Sequence, residues 1–235
     1  ALDLKHPKGR EIALQLIQSA DIVLENFRTG TMAKLGLDYD SLKADHPGLI
    51  YCSLKGFLSG PYENRVALDE VTQMMGGLAY MTGLPDRPLR AGSSVIDITG
   101  GMFGVIAILS ALHRRRETGE GSHVTSALFE TTAFLVGQHM AQQAVSGNAP
   151  PPMSVRQSAW AVYEIFELDS GERMFVGIVS DTLWQRFCEE FELSDWAADT
   201  ALKSNAGRIA ARETLLPAIR ELFAPLSLAE LSERL

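Results

Sequence analysis

Residues 21–57 read DIVLENFRTGTMAKLGLDYDSLKADHPGLIYCSLKGF, and their rhythm decides the fold. Ile22-Val23-Leu24 is a short, continuously apolar run, the kind of strand a parallel sheet buries on both faces. It opens into the polar loop Glu25–Gly30, at the strand edge where open α/β sheets bind ligands. Thr31–Leu35 reads as a short helix stopped by Gly36, and Tyr39–Ala44 as another, closed by His46-Pro47-Gly48. Leu49–Leu54 is a second buried strand, opening into the glycine-bearing loop 55–61. Upstream, Ala1–Leu4 is strand-like, and Ile12, Leu16 and Ile17 give residues 9–20 the spacing of an amphipathic helix. Alternating helix and strand predicts an α/β fold, a Rossmann-like parallel sheet with flanking helices. No GxGxxG turn marks it as a dinucleotide binder.

Downstream, residues 69–78 form a predicted helix with Val71, Met74, Met75 and Leu78 on one side. Gly76-Gly77 inside it points to close backbone contact with a neighbouring helix or a ligand, since each glycine costs about 1 kcal/mol relative to alanine. Pro85, Pro88 and Gly92 fix a loop that delivers Asp97, after which the main core helix runs from Gly101 to Arg116. His123–Leu128 reads as a strand and 129–145 as a helix. A proline-rich linker, 146–158, then separates a large domain, 1–145, from a smaller α+β module, 159–235. In that module two alternating runs, 160–168 and 173–179, flank Asp169-Ser170-Gly171-Glu172, a hairpin signature. Residues 184–191 and 208–223 follow as amphipathic helices, the second interrupted near Pro217.

Composition excludes several classes. A net charge of −8 over 235 residues argues against a nucleic-acid footprint. Cys52 and Cys188 lack any CxxC spacing, so a reducing, cytoplasmic setting is expected in place of a disulfide scaffold. The longest apolar run, Met102–Leu112, is shorter than a bilayer span, and no membrane partner is expected. The five histidines fall on turns or helix ends without ligand spacing, so no metal site is expected. The chain starts and stops inside apparent elements and is expected to be cut at both ends.

Two acids stand out in the apolar, glycine-bounded stretch 62–104: Asp69 and Asp97. An unpaired carboxylate is expensive to bury there. Asp97 follows Val95-Ile96 and precedes Gly100-Gly101, the pattern of a strand-to-helix junction with room for another molecule to approach. It is read either as a helix N-cap or as an ionised, poorly solvated nucleophile for acyl transfer. A serine elbow GxSxG is absent, and Cys52 lies in an apolar strand.

The segments at 1–11, 20–42, 47–57, 67–77, 97–112 and 115–124 occur in order and together resemble the family III CoA-transferases. This group contains formyl-CoA transferase, carnitine CoA-transferase and α-methylacyl-CoA racemase. The resemblance implies CoA transfer from an acyl-CoA thioester to a carboxylic acid, with Asp97 as nucleophile through an aspartyl anhydride and an aspartyl-CoA thioester. Asp69 matches a family carboxylate near the nucleophile, and helix capping explains an acid there equally well. CoA contacts are implied for Leu2, Lys5, Asn26, Phe27, Arg28, Lys34, Arg65, Ala67 and Leu68. Coenzyme A is implied as a substrate, with no permanently bound cofactor, and an interlocked homodimer is the implied assembly. C4–C5 dicarboxylates are the expected acids. A racemase would need a histidine before Asp69; Leu68 exchanges no proton. The family's leading strand segment has no counterpart here, so the CoA site of this chain alone is expected to be incomplete. Formyl-CoA transferase's glycine-rich lid loop is missing too, which argues against oxalate and formate.

Overall fold

The structure, a computed structural model, describes residues 1–155 and 158–235, in two compact units, 1–156 and 157–235. The expected linker, 146–158, contains Arg156 and Gln157, which lie outside the described residues.

In the first unit the chain runs α1 (Pro7–Gln18), β1 (Ile22–Glu25), α2 (Thr31–Leu35), α3 (Tyr39–Leu42) and β2 (Ile50–Lys55). It continues with α4 (Asp69–Met75), α5 (Leu78–Thr82), α6 (Val95–Thr118), β3 (Ser122–Ala127) and α7 (Leu128–Ser146). Pro7 opens α1, where its missing N–H costs nothing, and the His6 ring accepts the Lys8 N–H. The three strands are parallel in the order β1-β2-β3, with Glu25 opposite Ser53 and Lys55 opposite Ala127. Central β2 is buried from Ile50 through Ser53, as its unbroken apolar run requires. Ala13, Met32, Leu37, Leu42 and Tyr51 form a core cluster beside it, while α6 packs on β2 and β3.

The second unit holds the hairpin β4 (Val162–Glu167) and β5 (Arg173–Ile178), antiparallel with Glu167 opposite Arg173. Gly171 turns it at φ +82, a conformation that favours glycine. Helices α8 (Asp181–Glu190), α9 (Ser194–Ala198), α10 (Asn205–Ala210), α11 (Arg212–Phe223) and α12 (Leu228–Arg234) complete it. Phe166, Trp184, Phe187, Ile219, Phe223 and Leu231 form its core. Both cysteines are free and buried; burial pushes the Cys188 thiol up to about 11 and raises that of Cys52, where nearby Glu25 adds to the rise.

Several expectations change. Ala1–Leu4 carries no strand; Asp3 instead accepts the Lys5 and His6 N–H groups in a turn that leads into α1. The predicted helix 69–78 breaks into α4 and α5 at the glycines: Gly77 sits at φ +87, and a Cβ on Gly76 would overlap Thr132 of α7. Val95-Ile96 is not the end of a strand. The pair opens α6 six residues before the expected start, so its β-branched character is overridden by tertiary packing. The apolar run read as too short for a bilayer thus belongs to a helix of 24 residues, long and apolar enough to cross one by length and composition alone. Gly100, Gly104 and Ala111 are buried along it, while Ile98, Met102, Val105, Ile106 and Leu109 form an exposed apolar stripe. His113 and His139 lie inside helices and His123 inside β3, not on turns or helix ends. The break expected at Pro217 falls instead at Ala211; Pro217 is accommodated inside α11.

Candidate active site

At the C-terminal ends of β1 and β2 the chain builds an open cavity of about 650 Å³. Its walls include Asn26, Lys55, Gly56, Ala67, Leu68, Asp69, Arg90, Asp97, Gly101 and Ser126. The loop after β1, the ends of β2 and β3, the starts of α4 and α7, the loop carrying Arg90 and the first turns of α6 converge there.

Asp69 is the buried acid of the pair, only 6% exposed. It stands at the first position of α4 and makes no capping bond to its own helix. Its carboxylate reaches across 27 residues to accept the Ile96 N–H at 2.8 Å and, more weakly, the Asp97 N–H at 3.2 Å. The other oxygen accepts from Gln73 Nε2 at 2.6 Å. Asp69 therefore satisfies the first free N–H groups of α6 from outside that helix. Gln73, fully buried, passes the constraint on by accepting the Ala91 N–H at 2.8 Å, which pins the loop leading into α6.

Asp97 occupies the third position of α6 and caps nothing; the N-cap is Ser94, whose side chain makes no capping bond. Asp97 is exposed, which corrects the expectation of a poorly solvated carboxylate. Its pKa is nevertheless raised, first by partial burial and then by the Asp69 charge, against a downward pull from Arg90. One turn on, Gly101 has nothing within contact of a would-be Cβ, so the cavity beside the Asp97 carboxylate stays open. Gly100 instead packs against Leu128, and its carbonyl accepts the Ser126 hydroxyl at 2.8 Å.

A second buried set shapes the loop after β1. Glu25 and Lys55 pair at 2.6 Å at the ends of adjacent strands. Glu25 accepts the Phe27 N–H at 2.9 Å, and Lys55 donates to the Phe27 carbonyl at 2.7 Å. Together they fold Asn26 and Phe27 over the strand ends. Replacing one partner strands a charge, so Lys55→Met is expected to lower stability by about 3 kcal/mol, read from urea unfolding. Lys55→Met with Glu25→Gln together should recover part of that loss.

Of the residues singled out in the sequence, the cavity brings together Asn26, Ala67, Leu68, Asp69 and Asp97. Leu2, Lys5, Phe27, Arg28, Lys34 and Arg65 do not line it. Leu2, Phe27, Lys5 and Lys34 are exposed, and Arg65 lies over the Tyr62 ring at 4.3 Å. Sequence reasoning missed Lys55, Arg90 and Gln73. An acid ending a buried apolar strand, Glu25, was a signal that a cation must meet it, but not which one. Among the described residues no cluster of three His, Cys, Asp or Glu side chains could hold a metal. A serine–histidine contact exists, Ser53 Oγ to His123 Nε2 at 2.9 Å, but Ser53 is buried. Among the described residues no carboxylate hydrogen-bonds to that histidine.

Comparison with known proteins agrees over the whole chain. A sequence model described as CoA-transferase family III matches residues 1–235. A succinate–glutarate CoA-transferase of Agrobacterium fabrum is 34% identical over 210 residues, covering 88% of this chain and 52% of that protein. An acetyl-CoA:oxalate CoA-transferase of Acetobacter aceti is 31% identical, covering 94% and 57%. The chain thus spans just over half the length of these curated relatives. A crystal structure of a CAIB/BAIF family protein from Brucella suis superposes with a TM-score of 0.82 at 34% identity, covering 99% of this chain and 62% of that one.

Proposed function

This chain belongs to CoA-transferase family III, and from that premise we propose that it carries the nucleophile side of a site that moves CoA between carboxylic acids. One observation supports the reading above the others. Asp97 stands exposed at an open cavity, on a helix start whose N–H groups are held by a second, buried acid. A carboxylate so placed can reach an incoming thioester while its backbone stays fixed.

In the proposed cycle an Asp97 carboxylate oxygen attacks the thioester carbon of the donor. The C–S bond breaks, CoA leaves as thiolate, and an acyl–aspartyl anhydride forms. The thiolate then attacks the Asp97 carbonyl carbon and expels the donor acid, leaving an aspartyl-CoA thioester. The acceptor carboxylate attacks that carbonyl, releases CoA thiolate again, and takes it up at its own carbonyl carbon as Asp97 departs. No net proton is consumed, and water is the competitor to be excluded. Leu68 lines the cavity beside Asp69, and its lack of an exchangeable proton disfavours racemisation.

C4–C5 dicarboxylates are the proposed acids, a class to which the Agrobacterium relative's succinate and glutarate belong. The absent lid loop argued against oxalate, but the Acetobacter relative is named for that acid, so that argument carries little weight. Coenzyme A is proposed as a substrate, the remaining CoA contacts as Lys5, Phe27, Arg28, Lys34, Leu2 and Arg65, and the assembly as an interlocked homodimer. The bare apolar stripe of α6 favours burial against further protein. The test is hydroxylamine trapping after mixing the intact protein with a panel of acyl-CoA thioesters. Hydroxylamine turns an aspartyl anhydride or thioester into a hydroxamate, and peptide mapping should place it at Asp97. No adduct from any donor, in a protein that binds CoA, would remove Asp97 from the nucleophile role.

A further inference from the structure

Among the described residues two cations line the cavity that contains Asp97, and they are held differently. Lys55 is committed: Glu25 lies at 2.6 Å and the Phe27 carbonyl at 2.7 Å, and its side chain is 16% exposed. Arg90 is not. Its guanidinium lies 3.6 Å from Asp69 and 3.5 Å from Glu70, longer than the 2.7–2.9 Å of charge-assisted hydrogen bonds. Asp69 already spends both oxygens on Gln73 and the start of α6, and the Glu70 side chain is 57% exposed. Among the described residues the one hydrogen bond Arg90 donates runs from Nε to the neighbouring Ala91 carbonyl at 3.3 Å. Both terminal nitrogens thus keep donors for an anion, on a planar fork suited to a carboxylate. The backbone that carries it is held in place: the buried Gln73 accepts the Ala91 N–H and donates to Asp69, while the Arg90 side chain stays 40% exposed at the cavity.

We propose that Arg90 is the specificity determinant of this site. It receives the second carboxylate of a short dicarboxylic acid, the one remote from the carbon that Asp97 attacks, and so selects such acids over monocarboxylic acids of equal chain length. The proposal rests on the transferase reading above. A neutral acyl chain offers the guanidinium no acceptor, so only the diacid gains a contact there.

The test uses the intact protein and two donors that differ in one carboxylate, succinyl-CoA and butyryl-CoA. The rate of Asp97 hydroxamate formation against donor concentration gives a second-order constant for each. Wild type is expected to favour succinyl-CoA, and Arg90→Gln to cut the succinyl-to-butyryl ratio by about 10- to 100-fold. Arg90→Lys, which keeps the charge and loses the fork, should fall between them and controls for folding. If Arg90 only props Asp69, both constants fall together and the ratio stays put, which overturns the proposal. It is overturned equally if both donors weaken in parallel with free CoA, which would assign Arg90 to a CoA phosphate. Asp97 labelled by other acyl-CoAs but not by succinyl-CoA would reject the proposal and leave the transferase reading intact. No label in wild type from any donor would reject both.

Discussion

Asp97→Asn abolishes hydroxamate formation, lowers CoA transfer by at least about 10⁴-fold, and makes the fold harder to unfold at neutral pH. The first two effects follow from the proposed cycle, in which the Asp97 carboxylate forms the anhydride. The third follows from the raised carboxyl pKa, caused by partial burial and then by Asp69. A raised pKa means that the folded state holds the proton more tightly than the unfolded chain. Stability is therefore fully present below the ordinary value of 3.8 and declines as pH rises through the folded value. Asparagine cannot ionise and escapes that decline. The expected signature is a higher melting temperature for Asp97→Asn at pH 7 and convergence with wild type below about pH 4. Loss of activity together with loss of stability at pH 7 would instead mark Asp97 as a structural residue. A proposed nucleophile that weakens its own fold fits the ordinary compromise between stability and activity.

The second large effect is at Asp69. Asp69→Ala leaves the Ile96 and Asp97 N–H groups and Gln73 Nε2 without their acceptor, in a place water barely reaches. A loss of about 2–4 kcal/mol is expected, measured by denaturant unfolding, with transfer activity falling as the first turn of α6 loosens. Asp69→Asn separates the charge from the hydrogen bonds. It keeps one acceptor oxygen but removes the anion that helps to raise the Asp97 pKa, so the acid limb of the pH–rate profile should move to lower pH. An acid limb that stays in place in Asp69→Asn would show that the two carboxylates do not sense one another.

The parallel sheet was legible because Ile22-Val23-Leu24 and Leu49–Leu54 are unbroken apolar runs separated by short helices with clear stops. The hairpin was legible from Asp169-Ser170-Gly171, which β4 and β5 flank as expected. Both signals are local. Asp97 itself was reached through its glycine neighbours and the family resemblance; its position in the helix was not. Val95-Ile96 has the side chains of a strand, but it opens a helix whose Ile96 and Asp97 N–H groups are accepted by the Asp69 carboxylate, 27 residues before Ile96. The Glu25–Lys55 pair is 30 residues apart and exists because β1 and β2 are adjacent, which no window of sequence reports. Arg90 reads as one more loop arginine until Gln73 is seen to hold the segment beside it. Ala1–Leu4 fails in the opposite sense: its strand-like pattern gives way to a local turn in which Asp3 accepts the Lys5 and His6 N–H groups.

The buried cysteines have a practical consequence. With thiols sealed from solvent and pushed toward the unreactive protonated form, Cys52 and Cys188 should ignore a chromogenic disulfide reagent at pH 7–8 while the chain is folded. Any colour developed during turnover would then belong to free CoA. The aspartyl-CoA thioester of the proposed cycle, when water intercepts it, yields one such thiol per event. Leakage could thus be counted in one cuvette without labels, because transfer itself releases no net thiol. Denaturant added afterwards would release this chain's two silent thiols, so the same reading would give the amount of folded protein that produced the signal.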